Sequence, residues 1–174
     1  MQPLLVIFSG APGTGKTTLA EHAAEWLGAP LFSKDELEAT LWRSGIRRDA
    51  NSGWAAYELL TTLATGQLRH GRAAILDSVA TLERIRSPWR ATAAEFGIPV
   101  RIIETICSDR SLHCSRLLTR QRGIPGWPEL TWPEVIQIAK TFEPWTADRL
   151  VLDAVEPLGR NLRSLRAYLL GGQP

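Results

Sequence analysis

Five short apolar runs recur along the chain, each followed by a stretch whose apolar residues fall at helical spacing. The runs at 4–8, 31–33, 73–77, 100–107 and 149–153 read as strands. Strands alternating with helix-length segments predict a parallel sheet covered on both faces, an α/β three-layer fold. Helices are expected at 16–27, 34–43, 54–70, 82–96, 110–122, 133–142 and 158–170. Gly28, Gly71 and Gly97 each stop a helix just before the next strand. Thr131, ahead of Trp132-Pro133-Glu134, is placed to cap a helix that carries proline in its first turn. Pro125, Gly126 and Pro128 make residues 123–130 a loop, and about 110–131 reads as a lid segment.

Composition narrows the class without naming a function. With 174 residues, 44% of them hydrophobic and 22% charged, the chain is expected to be one globular domain over its whole length. No apolar run approaches a bilayer span and no charged leader opens the chain, so a soluble, cytoplasmic protein is expected. Cys107 and Cys114 lack metal-ligand spacing, and His22, His70 and His113 form no partner pattern, so no structural metal is assigned. A net charge of +2 is too small to argue for nucleic-acid binding. A monomer or a homodimer is expected.

The decisive pattern follows the first strand. Gly10-Ala11-Pro12-Gly13-Thr14-Gly15-Lys16-Thr17 is a complete G-x-x-x-x-G-K-[ST] phosphate-binding loop, set between a strand and a helix as its physics requires. Its glycines let successive backbone N–H groups turn in around a phosphate, and the helix behind aims its positive dipole end at the same anion. Lys16 supplies a charge to the β- and γ-phosphates, Thr17 is placed to ligate Mg²⁺, and Thr18 continues the binding segment. A nucleoside triphosphate with Mg²⁺ is therefore the expected ligand. Asp77 ends an apolar strand at the carboxyl edge of the sheet, where open α/β folds bind ligands. It reads as a Walker-B carboxylate holding Mg²⁺ through water, or as an aspartate that caps a turn.

Absent elements restrict the subclass. No N-K-x-D element is present to read guanine, and too few residues remain for the second helical domain of a hexameric motor. The loop, Phe32-Ser33-Lys34-Asp35, Ile75-Leu76-Asp77-Ser78, the arginines 116, 120 and 122, and the tail Phe142-Glu143-Pro144-Trp145 together resemble the small P-loop kinases of the AAA-domain type. That group includes polynucleotide-kinase-like and small-molecule phosphotransferases. The resemblance spans nearly the whole chain and implies a five-stranded parallel sheet in order 2-3-1-4-5, as in nucleoside-monophosphate-kinase-like folds. It further implies ATP as the nucleotide.

In similar kinases the position of Asp35 faces the acceptor hydroxyl and orients or deprotonates it; the competing reading is a helix N-cap. Arg116, Arg120 and Arg122 correspond to lid arginines that clamp the transferring phosphates or stack on adenine, or else are solvated arginines. Asp35, Glu38 and Trp42 share one helix face, a poor core face that suits either solvent or the wall of a pocket. Such a wall suits a polar acceptor, cationic or hydroxyl-rich, with Trp54 and Tyr57 nearby. Polynucleotide-kinase-like members carry an arginine where this chain has Glu38, and a carboxylate there repels an anionic substrate. The leading expectation is γ-phosphate transfer to a hydroxyl of a small metabolite or natural product. Two alternatives are a polynucleotide 5′-hydroxyl kinase and an ATP-binding regulator or accessory ATPase without an acceptor.

Overall fold

The computed structural model describes residues 3–171. Its elements run β1 (Leu5–Gly10), α1 (Lys16–Leu27), β2 (Leu31–Ser33), α2 (Lys34–Arg43), α3 (Ala50–Arg69), β3 (Ala74–Asp77), α4 (Glu83–Glu95), β4 (Val100–Ile106), α5 (Arg110–Thr119), α6 (Trp132–Lys140), β5 (Leu150–Asp153) and α7 (Leu158–Leu170). All four strand pairings are parallel, in the order β2-β3-β1-β4-β5. This is the expected three-layer arrangement.

Period-two alternation in β1 shows why the sheet is covered on both sides. Leu5 and Ile7 point into a core with Leu60, Leu68 and Trp89 of α3 and α4. Leu4, Val6 and Phe8 point into a second core with Leu19, Ala23, Leu165 and Leu169 of α1 and α7. Residues 5–8 are fully buried, so neither face of β1 meets water.

Element ends differ from the expectations where a tertiary partner or an overlooked cap decides. Helix α3 begins at Ala50 rather than at 54, because Asp49 Oδ1 accepts from the amides of Asn51 and Ser52 at 2.9 and 3.2 Å. Helix α5 ends at Thr119 rather than at 122: Arg120 is extended, and the chain turns so that Arg122 meets Asp35 of α2. At α6 the Glu134 carboxylate accepts from both the Thr131 amide and its hydroxyl, each at 2.7 Å, closing the first turn.

In register, Ser33 and Phe8 lie level with Asp77, and Gly10 lies level with Thr105. The loop after β1, the start of α2 and the ends of β3 and β4 therefore open on one edge of the sheet.

Candidate active site

The phosphate-binding loop is braced from behind by β4. Gly10 sits at φ +142°, and a Cβ there would lie 2.2 Å from the Thr105 carbonyl oxygen, so only glycine fits. The Thr105 hydroxyl lies 2.7 Å from the Thr14 hydroxyl, and Thr14 in turn donates to the Ala11 carbonyl at 2.7 Å. From α5, His113 Nε2 lies 2.7 Å from the Pro12 carbonyl oxygen, while its ring would be 3.2 Å from a Cβ on Gly13. Trp132 of α6 packs edge-on to that imidazole at 5.0 Å. Neither Thr105 nor His113 was assigned a role from sequence. Both act over separations of about ninety residues or more, where no local pattern reports them.

Within the loop, Lys16 is buried and donates to the Ala11 carbonyl at 3.0 Å. Burial lowers its pKa to about 8, against the opposing pull of Asp77 and Asp35. The Thr17 hydroxyl donates to Asp77 Oδ2 at 2.6 Å. Asp77 is itself buried, and that burial raises its pKa even though Lys16 and Thr17 favour the anion. Asp77 thus turns its carboxylate to the loop rather than only capping a turn.

Two cavities flank this loop. The larger, about 420 Å³, is lined by Gly13, Thr14, Gly15, Lys16, Thr17 and Thr18, by Arg116, Arg120 and Arg122, and by Ala154 and Asn161 beyond β5. Arg116 spends one donor on the Ala154 carbonyl at 2.5 Å. Arg120 keeps Nε and Nη2 buried with no partner among the described residues. Unpaired buried guanidinium donors beside a buried lysine and a ring of loop amides fit a polyphosphate, whose oxygens would satisfy them. The donor set also fits a divalent cation: a threonine hydroxyl already in contact with an aspartate, both hard oxygens.

The second cavity, about 340 Å³, lies on the Pro12 side and is lined by Lys34, Asp35, Glu38, Trp42, Arg48, Asp49, Val79, Trp127, Leu130 and Ile138. Asp35 lies inside the first turn of α2, where Ser33 holds the N-cap position, and its Oδ2 accepts from Arg122 instead of from helix amides. The pair is mostly sheltered, with side-chain exposures of 14% and 13%. Glu38 is buried and paired with Lys34. The Trp42 indole stacks on Trp127 at 4.9 Å between centroids and 11° between planes, and its Nε1 donates to Ser52 at 2.8 Å. Arg43 adds a bond to the Pro125 carbonyl at 2.5 Å, so three contacts fasten the 120–131 segment onto α2.

Of the residues expected at an acceptor pocket, Asp35, Glu38 and Trp42 line this cavity and Trp54 and Tyr57 do not. Trp54 is exposed on α3, under the Arg84 guanidinium at 4.9 Å. Tyr57 packs toward Trp89 and the core, and the Lys34 ammonium at the cavity lies 5.3 Å from its ring. Trp127, given no role from sequence, supplies a wall instead.

A family model described as "AAA domain" matches residues 5–125. Solved structures show the same architecture. A candidate kinase from Chloroflexus aurantiacus superposes with a TM-score of 0.76 at 22% identity, covering 97% of this chain and 99% of that one. A gluconokinase from Sinorhizobium meliloti gives 0.71 at 18% identity, covering 96% and 91%. An APS kinase from Mycobacterium tuberculosis, in complex with AMPPNP and APS, gives 0.67 at 16% identity, covering 97% and 98%. A search of curated proteins finds no match to the sequence. At these identities the structural likeness speaks for the fold. Among the described residues no helix is long and apolar enough to cross a membrane.

Proposed function

The chain belongs to the AAA-domain family that residues 5–125 match, and from that premise we propose that it is an ATP- and Mg²⁺-dependent kinase acting on a small-molecule alcohol. The observation that carries this reading is the pair of cavities on either side of one phosphate-binding loop. One is lined by cationic donors and the other holds a carboxylate beside stacked indoles. A regulator that only senses nucleotide needs the first cavity but not the second.

The residues divide the work as follows. Loop amides 13–18 and Lys16 bind the phosphates, and Arg116 and Arg120 offer donors where negative charge develops. Thr17 and Asp77 would hold the Mg²⁺, which when bound neutralises phosphate charge. Asp35 orients the acceptor hydroxyl and takes up its proton. Arg122 contacts Asp35 and lines the nucleotide cavity, so it connects the two half-sites. Phosphoryl transfer asks mainly for positioning and charge stabilisation, and these groups supply both.

Replacement of Asp35 by Asn tests the reading. Acceptor-stimulated ADP release should fall roughly 10²–10⁴-fold. Calorimetric ATP affinity and melting temperature should stay close to wild type, because Asp35 does not line the nucleotide cavity and the Asn amide oxygen can still accept from Arg122. Unchanged acceptor-stimulated turnover in that variant would remove Asp35 from the chemistry.

A further inference from the structure

We infer that the acceptor is an uncharged alcohol with a ring or other flat apolar face. This rests on the kinase reading above and narrows it. The second cavity carries both signs of charge, and nearly all of it is already committed. Asp35 is held by Arg122, Glu38 by Lys34, and Asp49 by the amides that begin α3.

An anionic acceptor would have to recruit Lys34 or Arg122. That strands Glu38 or Asp35, both largely shielded from water, beside a second negative charge. Arg48, the remaining cation at the cavity, is exposed and lies over the Trp42 indole at 4.9 Å. A charge so placed at the rim adds little binding energy to a buried group.

A cationic acceptor meets the converse obstacle. The place where carboxylate and aromatic faces would receive an ammonium is filled by Lys34, which is bonded to Glu38. Its ammonium stands 5.3 Å from the Tyr57 ring and 5.8 Å from the Trp127 ring.

A neutral hydroxyl disturbs none of these pairs. The Asp35 carboxyl oxygens have lone pairs to spare after the contact with Arg122, so they can accept an O–H without losing that partner. Val79, Leu130 and Ile138, beside the Trp42–Trp127 stack, supply the apolar surface against which a ring would pack. Among the described residues Trp127 Nε1 has no partner, which leaves one donor unspent. The cationic option left open by the sequence is thereby set aside.

The test uses wild-type protein at saturating MgATP with phenyl-substituted diols and aryl glycosides. Each is supplied as the neutral compound and as its ring-carboxylate, ring-aminomethyl and ring-phosphate derivative, and ADP release is followed. Neutral members are expected to exceed their charged counterparts in kcat/KM by at least about tenfold. Glu38→Gln frees Lys34, so it should shift the ratio of carboxylate to neutral turnover toward the carboxylate. A purely structural role for Glu38 would lower both members alike. A carboxylated, phosphorylated or aminated member preferred by wild type overturns this inference and leaves the kinase reading standing. Failure of every member to raise ADP release, with ATP still bound, overturns the kinase reading itself.

Discussion

Burial sets the behaviour of Lys16. Its pKa falls from the ordinary lysine value of 10.5 to about 8, because the ammonium is desolvated more strongly than Asp77 and Asp35 can offset. A triphosphate needs the charged form, so its binding above pH 8 must take up a proton. ATP affinity should therefore be flat below about pH 7 and fall by up to about tenfold per pH unit above 8. Calorimetry in buffers of different ionisation heats would register the uptake, and a flat profile to pH 10 would refute it. The linkage to stability has the opposite sign. Between about pH 8 and 10.5 the unfolded lysine still holds a proton that the folded one has released, so this group makes the fold more stable as pH rises. Lys16→Met should accordingly abolish ATP binding without lowering the melting temperature at neutral pH, since it removes a desolvated charge.

At the scale of elements, Arg86 of α4 does most to fix the backbone that follows β3. Fully buried, it donates from Nε to the Ala80 carbonyl at 2.6 Å, from Nη2 to Thr81 at 3.0 Å and from Nη1 to Glu143 at 2.8 Å. Its guanidinium lies 4.0 Å from the centroid of Trp145, so the tail after α6 is tied to the loop leaving Asp77. Arg86→Leu would leave those carbonyls buried and unpaired, at a cost of about 3 kcal/mol. For a chain of this size that lowers the melting temperature by roughly 6–12 °C, measurable by calorimetry. A change under about 2 °C would show the staple to be dispensable.

Local signals mark some elements in the sequence and leave others unmarked. Helix α1 and strand β2 have the bounds expected of them, because Gly28 and the apolar run after it are local signals. The first turn of α3 lies outside the expected helix, because Asp49 caps it upstream of Trp54. Arg86 carries no local mark that separates a buried arginine from an exposed one. The contact of Trp127 with Trp42 joins residues with a whole sheet crossover between them, so no periodicity foretells it. The phosphate-binding loop was legible because its function is itself local, one contiguous run of amides. The acceptor side was half legible: α2 placed Asp35, Glu38 and Trp42 on one face, while the facing wall came from the distant 120–131 segment.

Over the whole molecule, the strand order places β1 between β3 and β4, so the loop that follows it is flanked by Asp77 on one side and Thr105 on the other. The loop divides the open edge into two cavities, and the Arg122–Asp35 pair links them. In the proposed reaction the γ-phosphate passes from one cavity to an alcohol in the other. The most direct measurement supplies ATP labelled with ¹⁸O in the γ-phosphate, together with a metabolite and natural-product mixture and 5′-hydroxyl oligonucleotides, and locates the label by mass spectrometry. Label carried on a small organic phosphoester, lost with Lys16→Met and with Asp35→Asn, is the predicted result. Label found only in inorganic phosphate, or only on oligonucleotide 5′ ends, would contradict the account.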